Sequence, residues 1–270
     1  MLTSITRDFE EWADTDKVFS YFFQTCLEAG PEKCPLAALN KSAAELEADS
    51  WTWLESIRKA PIAAGTTIVD FAGAKGFLAE TLKSPSKWSN ISQILTVAIY
   101  GSDEEREGIW NLVNSTSLPT EGPESPSSLG TLQSVWGIHC GDRVPRIDSF
   151  EGMEEVADKL TNTSRLIGDV IQVVTTHCAQ WPWHAKEVYK GDFHVKTKNP
   201  VLLVGNILDA HTPIRSAFNV SQGLERSEVL TVNGTGVRYF LQFVPPKFPT
   251  ASRSYQQATV LLTDIISTLP

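Results

Sequence analysis

The chain has 270 residues, 41% of them hydrophobic, with eight tryptophans and a formal net charge of −9. That apolar content argues for a folded core, while the acidic balance leaves no basic surplus to neutralise phosphates, so no nucleic acid is expected as a partner. The longest apolar runs, such as Ile94–Tyr100 and Val201–Val204, are far short of a bilayer span, so no membrane partner is expected either.

Residues 1–190 read as mostly helical. TDKVFSYFFQTCLEAG carries Val18, Phe19, Phe22, Phe23, Cys26 and Leu27 at helical spacing, with Thr15 or Asp16 as N-cap and Gly30 as the stop. NKSAAELEADSWTWLESIRKAP contains a capping box, Ser42-x-x-Glu45, and ends before Pro61. Further helices are predicted near Val69–Leu82, Pro85–Tyr100, Asp103–Val113, Ser149–Lys159 and Ser164–Cys178. Residues 114–130, rich in Ser, Pro and Gly, read as an exposed loop. The pattern changes near Asn199. PVLLVGN is an unalternating apolar run, as in a parallel strand buried on both faces. HTPIRSAFNVSQGLE then offers Thr212 as N-cap and Pro213 at the first helical position, and SEVLTVNG reads as a second strand. Residues 199–236 are therefore expected to form a β–α–β unit. Beyond it VRYFLQFVPPKFP has no clear assignment, and SYQQATVLLTDIIS suits one last helix. Two strands do not make a doubly covered sheet. Either neighbouring strands lie on absent sequence, or apolar edges are exposed and invite self-association.

Six of the nine asparagines begin an Asn-x-Ser/Thr triplet: Asn40, Asn90, Asn114, Asn162, Asn219 and Asn233. With 48 Ser and Thr in the chain, about one or two such triplets are expected by chance, and N-glycan acceptors require them. The excess points to a secretory history, which the even count of four cysteines allows. The start, MLTSITRDFEEWADTDKVF, lacks the basic and apolar regions of a signal peptide. A missing N-terminal part would reconcile the two.

Several of these stretches together resemble the secreted tripeptidyl aminopeptidase-like serine hydrolases of the α/β-hydrolase fold. NPVLLVGNILDAHTPIRSA is similar to their C-terminal pattern P-V-L-L-V-G-N-x-x-D-x-x-T-P. DTDKVFSYFFQTCLEAGPEKC, TTIVDFAGAKGFLAETLKSPSKW, GIHCGD and CAQWPW are similar to their helical lid. The resemblance covers most of Asp14 to Gly236, in order. It implies an α/β fold class, a partial α/β-hydrolase with a helical lid over residues 1–190 and a hydrolase-core segment over 191–270. It also implies a sheet ahead of the lid, bearing the nucleophilic Ser on a G-x-S-x-G elbow. No such motif occurs here and the chain starts where the lid should start, so an N-terminal truncation, natural or from gene prediction, is expected.

By the same resemblance Asp209 matches the triad aspartate, which accepts a hydrogen bond from the histidine ring and holds its tautomer. Read from the residues alone, it is a strand-end aspartate that caps the following loop. The triad histidine belongs after the second strand in a G-x-G-H setting, and Val237, which cannot shuttle protons, stands there. A frame change or retained intron near residue 237 would produce that pattern. His211 is too local to bridge Asp209 and a distant serine, and His139, His177, His184 and His194 read as surface or core groups. No metal-ligand spacing and no phosphate loop occur, so neither metal nor cofactor is expected. The resemblance implies disulfides Cys26–Cys34 and Cys140–Cys178; free buried thiols are the alternative. Trp51, Trp53 and Glu55 suit pocket residues beneath a substrate-restricting lid, although helix-on-helix packing is the plainer reading. The activity implied for full-length relatives is serine acylation of a peptide or small ester near a free N-terminus. This chain, with an acid position but neither nucleophile nor base, is expected to be inactive alone. The alternative is a non-catalytic secreted binding protein derived from the lid.

Overall fold

The computed structural model describes residues 9–64, 67–108, 134, 136–141, 147–187 and 194–237. The loop expected over 114–130, Asn114 and the tail after Val237 lie outside the described residues. Helices α1 (Thr15–Ala29), α2 (Ala43–Lys59), α3 (Phe71–Leu82) and α4 (Trp88–Tyr100) form a body around one core. The apolar stripe of α1 is the reason: Val18, Phe19, Phe22, Phe23 and Cys26 are buried together with Leu54 and Ile57, Leu78 and Leu82, and Ile91 and Leu95. The aromatic rings meet edge to face, Phe19–Phe23 at 5.0 Å and Phe22–Trp88 at 5.7 Å, the geometry their quadrupoles favour. Gly30 ends α1 at φ 77°, a conformation costly for a residue with a Cβ. Both halves of the capping box open α2: Ser42 Oγ accepts from the Glu45 amide, and the Glu45 carboxylate accepts from the Ser42 amide.

Several boundaries differ from the sequence reading. The segment before α3 is a short antiparallel hairpin, β1 (Ile62–Ala64) with β2 (Thr67–Val69), paired Ile62↔Val69 and Ala63↔Ile68. The β-branched Ile68 and Val69 suit a strand, and α3 begins after Asp70, whose carboxylate accepts from the Gly73 amide at 2.7 Å. Pro85–Lys87 is a 3-10 turn and not the start of α4. Of the helix expected over Asp103–Val113, residues 103–108 are helical and the rest lies outside the described residues. Helix α5 (Phe150–Thr163) runs to Thr163, past the expected end at Lys159.

Of the helix expected over Ser164–Cys178, residues 165–171 form turns and the part from Gln172 onward is helical, as α6 (Gln172–Ala179). The turns dock on Asp16. Its carboxylate accepts the Ser164 hydroxyl at 2.7 Å and the Arg165 and Leu166 amides at 2.7 and 2.9 Å, which holds the chain onto the start of α1. Cys26 is bonded to Cys34 and Cys140 to Cys178, and no cysteine is free among the described residues.

The expected β–α–β unit is present: β3 (Val201–Leu208), α7 (Ile214–Ser221) and β4 (Ser227–Thr235). The strands pair in parallel, Val201↔Ser227 through Asn206↔Val232, with an irregularity between Asn206 and Leu208. Thr212 is not the N-cap and Pro213 is not the first helical residue; α7 starts at Ile214, with Pro213 in the cap position. Helix α7 lies against the face carrying Gly205, where a Cβ would collide with Ile214 Cδ1. The opposite face is not covered by an equivalent layer among the described residues, and Leu202 and Val204 stay 38% exposed. The expectation of a strand buried on both faces is thereby corrected: β3 alternates, because only one side has a helix to pack on. No helix among the described residues is long and apolar enough to cross a membrane.

Candidate functional site

Strand β3 ends at Leu208, and Asp209 is the first residue beyond its carboxyl end. This residue is 3% exposed, so its carboxylate must find partners in the protein. Oδ1 accepts from the amides of His211 and Thr212 at 2.9 and 2.8 Å, and Oδ2 accepts from the Thr212 hydroxyl at 2.7 Å. The local sequence explains the turn: an aspartate bonding the backbone two and three residues on holds the Asp-Ala-His-Thr corner before Pro213. A carboxylate offers about four acceptor positions, so three bonds leave capacity for one further donor. The arrangement stabilises the corner and also holds the carboxylate in one orientation. Both readings of Asp209 made from the sequence are compatible with this geometry.

The end of β4 is tied beside it. The Gly236 amide donates to the Leu208 carbonyl at 2.8 Å, and Asn206 Nδ2 donates to the Gly236 carbonyl. Gly236 adopts φ 96°, which favours glycine and turns the chain toward α3. The Val237 amide then donates to the Lys83 carbonyl at 3.0 Å. Val237 thus lies where strand β4 delivers a residue to the same edge as Asp209, and its isopropyl group neither donates nor accepts a proton.

The histidine ring nearest in sequence points elsewhere. His211 reaches Asp209 only through its backbone amide. Its ring Nε2 lies 2.5 Å from Glu11 Oε1, and the ring packs on Trp12 with centroids 4.3 Å apart. His177 uses Nδ1 on the Val173 carbonyl at 2.8 Å and stacks on Trp136. His184 and His194 are exposed, and His139 lies in the helical stretch 136–141. Among the described residues no group of three His, Cys, Asp or Glu side chains converges as a metal ion requires.

A set of contacts around this corner has no counterpart in the sequence reading. Residues 10–15 clamp the loop after β3 and helix α7: Asn219 Nδ2 donates to the Glu10 carboxylate at 3.1 and 3.2 Å, and Arg215 meets Asp14 at 2.6 Å. The Thr15 hydroxyl donates to the Ala210 carbonyl at 2.7 Å. Lys83 Nζ lies 4.7 Å from the Trp12 ring centre, a cation–π contact at the foot of α3. The partners are about 200 residues apart in the chain, so no local pattern announces them.

The aromatic segment of α2 divides. Trp53 is buried in the core, whereas Trp51 and Glu55 line an open groove with Glu47, Lys59 and Arg165. The Arg165 guanidinium lies 4.0 Å from the Trp51 ring centre, and Trp51 Nε1 donates to Glu47 at 3.3 Å. Helix packing therefore accounts for Trp53 and not fully for the other two. Near the groove, the almost fully buried Lys75 is 2.5 Å from Asp169. Burial pushes the Lys75 ammonium below the ordinary lysine value, and the Asp169 carboxylate works against that shift. The asparagines of the triplets at 40, 90, 162, 219 and 233 are all exposed.

A comparison of the chain with curated proteins finds no match. Residues 163–242, which span the turns held by Asp16, helix α6, the β–α–β unit and Asp209, match the model of the TAP-like protein family, an α/β-hydrolase domain, and support an α/β-hydrolase-related family for this chain.

Proposed function

We propose that this chain derives from serine hydrolases that cleave peptides or small esters near a free N-terminus, and that alone it does not carry out that hydrolysis. The observation behind this reading is the pair of strand ends: an oriented, sealed carboxylate at Asp209, and a valine at position 237 where its basic partner belongs. Serine acylation requires a base that takes the hydroxyl proton and returns it to the leaving group, with the acid acting only through that base. Asp209 without such a base keeps its role in the corner and loses its role in proton transfer. Incubation with a serine-directed fluorophosphonate probe, short peptide anilides and small esters tests this. Neither labelling nor turnover is expected. Labelling or turnover abolished by substitution of one serine overturns the reading.

A second reading, a non-catalytic secreted binding protein, is favoured by the groove on α2. The carboxylates of Glu47 and Glu55 line it beside Trp51, whose ring lies against the Arg165 guanidinium, and two carboxylates in a groove suit a peptide with a free amine. Titration of short peptides against tryptophan fluorescence distinguishes the two. Binding that requires an unblocked N-terminus and weakens in Glu55→Gln supports the second reading; equal behaviour of free and acetylated peptides removes it. Exposed Leu202, Val204 and Ile207 further support self-association through the β3 side of the sheet. Sedimentation should give a mass that rises with concentration, and a monodisperse monomer would overturn that part.

A further inference from the structure

We propose that Asn90, Asn162 and Asn233 are N-glycan acceptors, each joined through Nδ2 to an oligosaccharide. The proposal is independent of the hydrolase reading. It starts from the excess of Asn-x-Ser/Thr triplets and from a question the fold can answer: what else explains each residue of a triplet? The hydroxyl residues are partly accounted for. Ser92 is buried and accepts from the Leu36 amide at 3.4 Å. Ser164 is buried, donates to Asp16 and accepts from the Ile167 amide at 3.2 Å. Ser42 caps α2. Structural demand alone can therefore retain those serines.

The asparagines separate into two groups. Asn40 has the left-handed backbone (φ 52°) that asparagine tolerates better than most residues, and Asn219 donates to both oxygens of Glu10. These two have a structural reason to be asparagine. Asn90, in the first turn of α4, and Asn162, in the last turn of α5, sit in helices, where asparagine is a poor former. Asn233 sits in strand β4, a setting in which asparagine is depleted. All three are exposed, and none of their side chains holds a hydrogen bond to a described residue. Local structure disfavours asparagine at each, packing does not use it, and the triplet is intact.

The two disulfides belong to the same oxidising compartment in which such glycans are attached. In the attachment step the asparagine Nδ2 displaces a lipid diphosphate from the anomeric carbon of a lipid-diphosphate oligosaccharide, under a separate transferase. The C–N bond forms, the anomeric C–O bond breaks, and one amide proton leaves with the lipid diphosphate. The transferase must reach the hydroxyl at the third position of the triplet. Ser92 and Ser164 are sealed in the fold, so transfer at Asn90 and Asn162 precedes closure of those helices.

The test is peptide mapping of the natural protein from its source cells after amide-cleaving glycosidase treatment in heavy-oxygen water, which leaves an isotopically labelled aspartate at each formerly occupied site. Label is expected at Asn90, Asn162 and Asn233, with Asn199 and Asn206, which lie outside any triplet, unlabelled. Recovery of the three as unmodified asparagine overturns the proposal. A second arm uses Asn90→Gln, Asn162→Gln and Asn233→Gln in carbohydrate-free protein from bacteria. An unchanged melting temperature is expected, because none of the three side chains supports the fold; a clear loss would mean a structural role and would also count against the proposal.

Discussion

The helical body and the β–α–β unit are stabilised by different means. In the body, Phe19, Phe22, Phe23, Leu54, Ile57, Leu78, Leu82, Ile91 and Leu95 are sealed from water, and each helix contributes an apolar stripe to one cluster. In the unit, α7 buries no residue, β3 is covered on one face, and Leu202, Val204, Phe218 and Val220 remain exposed. Beyond the ladder between β3 and β4 and the packing of Leu208 and Ala210 on the core, the unit is fastened by polar contacts: the long-range Glu10–Thr15 clamp, the local Asp209 corner, and the bond from Val237 to Lys83. Apolar packing is cooperative and tolerates loss of single contacts unevenly, whereas a polar seam opens locally when one partner is removed. With fewer sealed apolar side chains, the region that carries the candidate site is expected to open at lower free energy than the body.

The largest expected effect is in the body. Phe22→Ala should destabilise the whole protein by about 3–5 kcal/mol, since it removes a sealed ring and leaves a cavity. Chemical denaturation followed by near-UV circular dichroism measures it; a loss restricted to the body, with the β–α–β unit unaffected, would mean that the body does not support the unit. The disulfides come next. Cys140–Cys178 closes a separation of 38 residues and Cys26–Cys34 one of 8. Loop entropy alone predicts losses of about 4 and about 2.5 kcal/mol for the paired Cys→Ala variants, respectively. Because Cys26 and Cys34 lie in the body core, a reversed order in melting experiments would show that packing outweighs loop length there.

Asp209→Ala should act locally. It leaves the His211 and Thr212 amides and the Thr212 hydroxyl without their acceptor, a cost of about 1–3 kcal/mol. Hydrogen exchange should quicken at the corner and along β3 and β4 while α1–α4 keep their protection; uniform acceleration would erase the distinction between the two regions. The smallest effect concerns Asp49, which lies 2.5 Å from Lys41 Nζ and accepts the Tyr100 hydroxyl at 2.5 Å. The hydrogen bonds from Lys41 and Tyr100 hold its carboxyl below the ordinary aspartate value of 3.8. A lowered folded-state value means a contribution fully present above the unfolded value and lost as pH falls through the folded one. The melting-temperature difference between the wild type and Asp49→Asn should thus be largest near neutrality and vanish in strong acid. A difference that grows on acidification would contradict the sign.

Much of the body was readable from local pattern. The stripe Val18–Phe19–Phe22–Phe23–Cys26, the Ser42/Glu45 box and the Gly30 stop are each specified within one or two helical turns, where side-chain spacing and backbone demand coincide. The β–α–β unit was equally legible as a unit, because an apolar run, a proline and a second β-rich run follow one another within a few tens of residues. The disulfide pairs and the acid position came from resemblance, and the family match over residues 163–242 supports the hydrolase relation at the coarser level. Ser164–Cys178 has helical spacing, but its first half forms turns, docked on Asp16 some 150 residues away through the Ser164 hydroxyl and the Arg165 and Leu166 amides. Ile62–Val69 forms a hairpin ahead of α3, where the sequence reading opened a helix at Val69.

Residue order alone settled where the main helices of the body and the β–α–β unit lie, which cysteines are available, and that position 237 offers no proton acceptor. Burial of β3 on one face only, the direction of the His211 ring toward Glu11, and the fastening of the Asp209 corner to residues 10–15 emerged only once the chain was packed. Those features depend on groups far apart in the chain. Spacing along a strand or helix encodes which face is apolar, but not which distant partner arrives to cover it.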